Sequence, residues 1–193
     1  MLSLQEQFGP IDIYLFDQLL RGRILPGMRI LDAGCGGGRN LIYLLREGYD
    51  VFGVDTDLQA VASLPPKNFR HETVEAMSFP DAFFDVIISS AVLHFARDSG
   101  HFNAMLHEMW RTLKPNGFLF CRLASLIGIE HLVVPLNGRH YLLPDGSQRY
   151  LVDQALLLDL TSQLQAELLD PIKTTVVQNQ RSMTTWVLYK PIR

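Results

Sequence analysis

Along this chain of 193 residues the spacing of hydrophobic positions changes several times, and each change marks an element. Over Ser3 to Gly22 the residues Ile13, Tyr14, Phe16, Leu19 and Leu20 give a broad apolar face at helical spacing, with Pro10 near its start. A short apolar run, Ile30-Leu31, then leads through Asp32 into glycines at Gly34, Gly36, Gly37 and Gly38. Helical spacing returns over Arg39 to Glu47, where Leu41, Leu44 and Leu45 share a side, and Tyr49 to Val54 is a second apolar run, closed by Asp55. Runs of this kind belong to parallel strands covered on both faces. Thr56 to Leu64 reads as a short helix stopped by Pro65-Pro66, Phe69 to Val74 as a weak strand and Phe84 to Ser90 as a strong one. His101 to Leu113 is an amphipathic helix whose stripe of Phe102, Met105, Leu106, Met109, Trp110 and Leu113 is a core pattern. The turn Lys114-Pro115-Asn116-Gly117 feeds a strand over Phe118 to Leu123. Periodicity fails from Ala124 to Tyr150. Asp153 then caps a leucine-rich helix to Gln165, and Leu168 to Gln178 and Thr184 to Lys190 alternate like antiparallel strands across a loop at Asn179 to Ser182.

Strand, glycine turn, helix, strand and terminal acid together describe a nucleoside pocket. Glycine admits positive φ and close approach of backbone to a ligand, and the helix start beyond it offers unpaired amides. Asp55 follows the glycines at the separation from which a carboxylate in a βαβ unit reaches the two hydroxyls of a ribose. A dinucleotide site of the form G-x-G-x-x-G, counted from Gly34, requires glycine where Arg39 stands, which disfavours a nicotinamide-dependent oxidoreductase. The register that fits is D-x-G-x-G-x-G, from Asp32 to Gly38.

In that register, with Gly38-Arg39-Asn40 after the glycines and Gly48-Tyr49-Asp50-Val51 before the second strand, the chain resembles the class I S-adenosylmethionine-dependent methyltransferases, and within them the tellurite-resistance methyltransferase group. The likeness runs from Met28 to Leu123. It implies an α/β Rossmann-like fold: a seven-stranded, mostly parallel sheet of order 3-2-1-4-5-7-6, the last strand antiparallel, with helices on both faces. It also implies S-adenosylmethionine as cofactor. Asp55 and Thr56 are expected at the ribose, and Asp32, Gly34, Cys35, Gly36, Gly38, Arg39 and Asn40 at the methionine end. Ser89, Ser90 and Ala91 are expected along the sulfonium. The family's Asp-Ala pair for adenine is replaced here by Thr73-Val74, which leaves Val74, Glu75 and Ala76 as the adenine contacts. Asn116 stands for the first glycine of the family's L-K-P-G-G turn and tolerates left-handed φ.

Several residues carry two readings. Residues 1–27 form either a helix packed on the sheet edge or a lid with Phe8 and Tyr14 as walls beside the sulfonium. Arg39, in the first turn of its predicted helix, opposes the helix dipole unless a ligand carboxylate or a surface acid compensates. His94, just beyond the strand end where open α/β sheets bind ligands, is either a packing residue or a base facing the acceptor. Residues 124–150 carry His131, Arg139, His140, Tyr141, Arg149 and Tyr150; they form either a surface excursion with a hairpin at Asp145-Gly146 or an acceptor-binding insert in which Arg139, His140 and Tyr141 touch the substrate.

Composition narrows the partners. A hydrophobic content of 48% suits a single domain with one core. Seventeen basic residues against twenty acidic give a net charge of −3 without a Lys/Arg cluster, so a nucleic-acid partner is not expected and a small-molecule acceptor is. The start, Met1 to Asp12, shows no basic leader, no run approaches the ~20 apolar residues of a membrane span, and Cys35 and Cys121 lack metal spacing. A cytoplasmic enzyme with free thiols and no metal, monomeric or homodimeric, is expected; the alternative is a cofactor-binding regulatory or scaffolding subunit without catalysis.

Overall fold

The computed structural model describes residues 3–192; the first two residues of the predicted arm lie outside them. At its centre β1 (Arg29–Ala33) lies parallel between β2 (Asp50–Asp55) and β4 (Phe84–Ser90), with Arg29 opposite Asp50 and Ala33 opposite Val54. β3 (Phe69–His71) extends one side, and β5 (Leu113–Ala124) the other, both parallel to their neighbours. Beyond β5 come β11 (Arg181–Tyr189), antiparallel to it, and β10 (Lys173–Val177), giving the order β10-β11-β5-β4-β1-β2-β3. This is the expected 3-2-1-4-5-7-6 sheet. An eighth, two-residue strand, β9 (Glu167–Leu168), also pairs with β11.

Alternation along the strands divides the core in two. Ile30, Val86, Ile88, Phe118, Phe120 and Val187 face α2 (Ile13–Leu20), α3 (Ile42–Arg46) and α4 (Leu58–Ala62), meeting Leu15, Leu41, Leu44 and Val61. Their neighbours Leu31, Ile87, Leu119, Cys121 and Trp186 point the other way, to α5 (Ser99–Thr112) and α6 (Gln154–Gln163). Each strand is thus apolar on both sides, the reason the central strands read as unbroken runs. Trp186 is fully buried, and its indole N–H donates to Thr161 Oγ1 at 3.1 Å, so the largest core side chain leaves no orphan donor.

Four expectations are corrected. The arm is two helices, α1 (Leu4–Phe8) and α2, because Gly9 turns at φ +61° and Pro10 cannot continue the first; Ser3 and Glu6 form a capping box on α1, and Asp12 caps α2. The first crossover helix begins at Ile42 rather than Arg39, since Gly38 and Leu41 donate to Cys35 O and Gly38 O and close turns instead. The predicted strand over Leu168 to Gln178 is broken near Asp170-Pro171: Asp170 turns inward to accept from Gln18 (3.1 Å) and Arg23 (2.7 Å), and Pro171 has no N–H for a ladder. Residues 124–150 are not one structureless loop. They carry a three-stranded antiparallel sheet of β6 (Val134–Asn137), β7 (His140–Leu142) and β8 (Gln148–Tyr150), turning at Gly138 and at Asp145-Gly146, with Leu143 and Leu151 in a small core of their own. No helix among the described residues is long and apolar enough to cross a membrane.

Candidate active site

The site grows from the tips of β1 and β2. Gly34 and Cys35 both donate to Val54 O, at 2.8 and 3.0 Å, and draw the turn against β2. Asp55, 19 positions beyond Gly36, then accepts the Gly36 N–H at 2.7 Å on one oxygen and the Asp57 N–H at 2.9 Å on the other. Turn and acid are therefore in direct contact, and no packed side chain fills the space between them. An ionised carboxylate has about four acceptor positions. Two remain for a diol. At Gly34 (φ +84°) a Cβ would lie 2.3 Å from Val92 Cγ2, so no other residue fits, whereas Gly36 and Gly37 have nothing within 4 Å of that position and face open space.

Asp32 is 1% exposed, and neither of its oxygens has a hydrogen-bond partner among the described residues. Burial pushes its carboxyl up to about 7, with Arg39 opposing, Asp55 reinforcing and Asn40 adding a weaker downward pull. Such a group costs free energy unless a donor or cation joins it. Burial likewise raises the Cys35 thiol to about 12, so it is neutral.

Three cavities adjoin at this end of the sheet. One of about 480 Å³ is bounded by Gly34, Asp55, Thr56, Val74, Glu75 and Phe95; a second of the same size by Gly34 to Gly37, Arg39, Asn40 and Asp55. The third, about 380 Å³, lies between Asp12 and Ile13 of the arm, His94, the end of β5 and the insert. Ala91 lines all three. It sits at φ +66°, outside the range non-glycine residues favour, with its N–H on Arg122 O at 2.7 Å. Strain of this kind costs about 1–3 kcal/mol and clusters at functional sites.

In the first cavity Glu75 Oε1 lies 3.2 Å from His101 Nε2 without hydrogen-bond geometry, while His101 Nδ1 accepts the Arg97 N–H, so Nε2 carries the proton. Burial tends to raise the Glu75 carboxyl, but its own backbone amide and His101 outweigh this and hold it below the usual range. In the third cavity Asp12 accepts from the Tyr14 N–H (2.9 Å) and the Ser90 hydroxyl (3.2 Å), lies 3.3 Å from Arg122 Nε, and donates its own N–H to Asn40 (3.1 Å). Arg39 donates to Ser90 Oγ at 3.1 Å. A connected set thus ties the arm to the glycine turn, β4 and β5.

His94 is buried and accepts the Ala124 N–H on Nδ1 at 3.2 Å, which leaves its proton on Nε2. Burial first, and Arg149 second, lower its pKa to about 4. The base role expected of it is corrected accordingly: so weak a proton acceptor is poorly matched to a reaction near pH 7, and Nε2–H is a donor.

Of the other expected contacts, Thr56, Val74, Ser90, Arg39 and Asn40 line the cavities. Ala76 does not; its N–H closes a turn on Thr73 O. Ser89 is 1% exposed behind the wall. Tyr14 is turned away, its hydroxyl on Thr175 and its ring under the Arg122 guanidinium at 4.7 Å, and Phe8 stacks on Tyr43 at 4.6 Å. Within the insert, Arg139 is paired with Asp153 at 2.9 Å, His140 packs against Tyr150 and Tyr141 joins the small core, so these three stay out of the acceptor cavity. Leu143, Asp145, Ser147 and Arg149 line it instead, with Arg122 and Met183 from the sheet and Arg181 from the start of β11. Arg122 lay within reach of sequence reasoning, since it sits near the carboxyl end of β5, opposite Ser90. Nothing in the sequence marks Arg181. Among the described residues no group of three or more His, Cys, Asp or Glu could hold a metal ion.

Residues 31–121 match the family model described as a methyltransferase domain. Among curated proteins the chain is similar to a ubiquinone biosynthesis O-methyltransferase from Chelativorans sp. (strain BNC1), 32% identical over 64% of this chain and 52% of that protein. The chain spans about half the length of the curated relatives it matches. In fold it is similar to a SAM-dependent methyltransferase from Methanosarcina mazei (TM-score 0.74, 20% identity, 91% of this chain and 98% of that one). It is also similar to the 1,6-didemethyltoxoflavin-N1-methyltransferase of Burkholderia thailandensis, solved with 1,6-didemethyltoxoflavin and S-adenosylhomocysteine (TM-score 0.72, 18% identity, 98% and 82%).

Proposed function

We propose that the chain carries a class I S-adenosylmethionine-dependent methyltransferase domain and transfers the methyl group of S-adenosylmethionine to a small-molecule acceptor. One observation carries the reading: Asp55 grips the glycine turn with acceptor capacity to spare, and the spaces on either side of that grip meet a third at Ala91. The residues fit the cofactor. Asp55 would take the ribose hydroxyls, Val74 and Glu75 would border the adenine, the open faces of Gly36 and Gly37 would accept the methionine chain, and the partnerless Asp32, buried behind the cavity walls, would act on its ammonium group through charge.

When bound, S-adenosylmethionine supplies a methyl group on a positively charged sulfur, ready for displacement by a lone pair. What remains for the chain is alignment, an entropic contribution of up to ~7–11 kcal/mol. Ala91 keeps the junction of the cavities open, the arm serves as a lid through Asp12 and Ile13, and the insert walls off the acceptor. An acceptor proton, where there is one, leaves to solvent rather than to His94. The ordered insert beside an acceptor-sized cavity supports an enzyme over a scaffolding subunit.

Calorimetry tests the reading. S-adenosylmethionine is expected to bind at micromolar affinity, and Asp55→Ala to weaken it at least about tenfold, ~1.4 kcal/mol. Absence of binding, or an unchanged affinity in the variant, rules the reading out.

A further inference from the structure

The 380 Å³ cavity is more basic than the chain that builds it. Against a net charge of −3 it collects Arg39, Arg122, Arg149 and Arg181, with Asp12 and Asp145 as its acids. Asp12 is already taken up by Arg122, Ser90 and the Tyr14 N–H, and the Asp145 carboxylate by the Ser147 N–H (2.9 Å) and hydroxyl (2.6 Å). Arg149 and Arg181 both line this cavity together with Asp145. Among the described residues neither has a carboxylate within 4.0 Å; Arg149 donates to the carbonyl of its neighbour Gln148 and lies over the Phe95 ring at 4.8 Å. Cations gathered in a cleft create a potential that an anion relieves, and paired guanidinium groups match the planar fork of a carboxylate. The remaining wall is apolar: Ile13, Leu143 and Met183.

Resting on the methyltransferase reading above, we propose that the acceptor is a small organic acid, its carboxylate held by Arg149 of the insert and Arg181 of β11 and its apolar body against Ile13, Leu143 and Met183. Nothing here depends on which atom receives the methyl group.

The test is calorimetry on the full chain saturated with S-adenosylhomocysteine. The probes are matched pairs: para-hydroxybenzoate against para-hydroxybenzamide, anthranilate against anthranilamide, mercaptoacetate against mercaptoacetamide, with phenyl phosphate as a separate arm. At least one acid is expected to bind about tenfold or more tighter than its amide, and the double variant Arg149→Gln/Arg181→Gln to erase that preference while S-adenosylhomocysteine still binds as before. Amides that equal their acids, a panel in which no acid binds, phenyl phosphate binding more tightly than every acid, or a preference that survives the double variant each overturn the proposal. Failure of S-adenosylhomocysteine itself to bind strikes the methyltransferase reading instead, so the two failures are distinguishable.

Discussion

The two cofactor cavities and the acceptor cavity share Ala91 but are assembled in opposite ways. The turn and acid of the cofactor side fall between Gly34 and Asp55, and their contacts are backbone contacts: amides on Val54 O, an amide on Asp55, glycines that face open space. The acceptor side draws on the arm, β4, β5, the insert and β11, and its contacts are between side chains distant in the chain, as in the set linking Asp12, Ser90, Arg39 and Arg122. A backbone site changes with difficulty, because altering it means altering a turn. A side-chain site changes one residue at a time. The division suits a fold that keeps one cofactor and exchanges acceptors.

The sharpest way to break the comparison is at the shared residue. Ala91→Leu puts a branched side chain where all three cavities adjoin, and methyl transfer is expected to fall at least about a thousandfold, ~4 kcal/mol. Ala91 already occupies left-handed φ, so a thermal melt should stay near that of the parent, and transfer at the parental rate would show that the cavities do not communicate there. Next is the acceptor network alone. Arg122→Met strands the Asp12 carboxylate, 7% exposed, and should cost about 3 kcal/mol in urea unfolding while leaving the folded protein's affinity for S-adenosylhomocysteine unchanged. A matching loss of cofactor affinity would mean that the two sides are one unit.

The smallest effect belongs to Asp32 on the cofactor side. Its folded-state carboxyl titrates near 7 against an ordinary 3.8, so the native protein keeps a proton that the unfolded chain has lost. Its contribution to stability therefore falls as pH rises from about 4 to about 7. A bound ammonium group favours the ionised form, so cofactor binding should release close to one proton at about pH 6 and little by about pH 8. Calorimetry in buffers of different ionisation enthalpy reads this directly. No release at the lower pH would show that Asp32 does not respond to the cofactor's charge.

What could be read ahead of the structure follows the same division. The strands from Ile30, Tyr49 and Phe84 announced themselves because both of their faces are buried, and Asp55 because its distance from the glycines is set by one helix and one strand. Arg139, His140 and Tyr141 lay in the right segment, but strand pairing within the insert turned them to Asp153, Tyr150 and the small core, and brought Arg149 to the cavity instead. Tyr14 has the chemistry of a sulfonium wall, yet Thr175, 161 positions away, holds its hydroxyl.

From sequence alone, the central strands, the glycine turn and its acid were determined, because each depends on periodicity or on spacing within a single βαβ unit, while the order of the sheet followed from the family resemblance. The acceptor cavity, the neutral His94, the raised carboxyl of Asp32 and the meeting of Arg149 and Arg181 at one cavity were decided only by tertiary structure. Burial and long-range charge depend on which distant segments meet, and no local pattern records that.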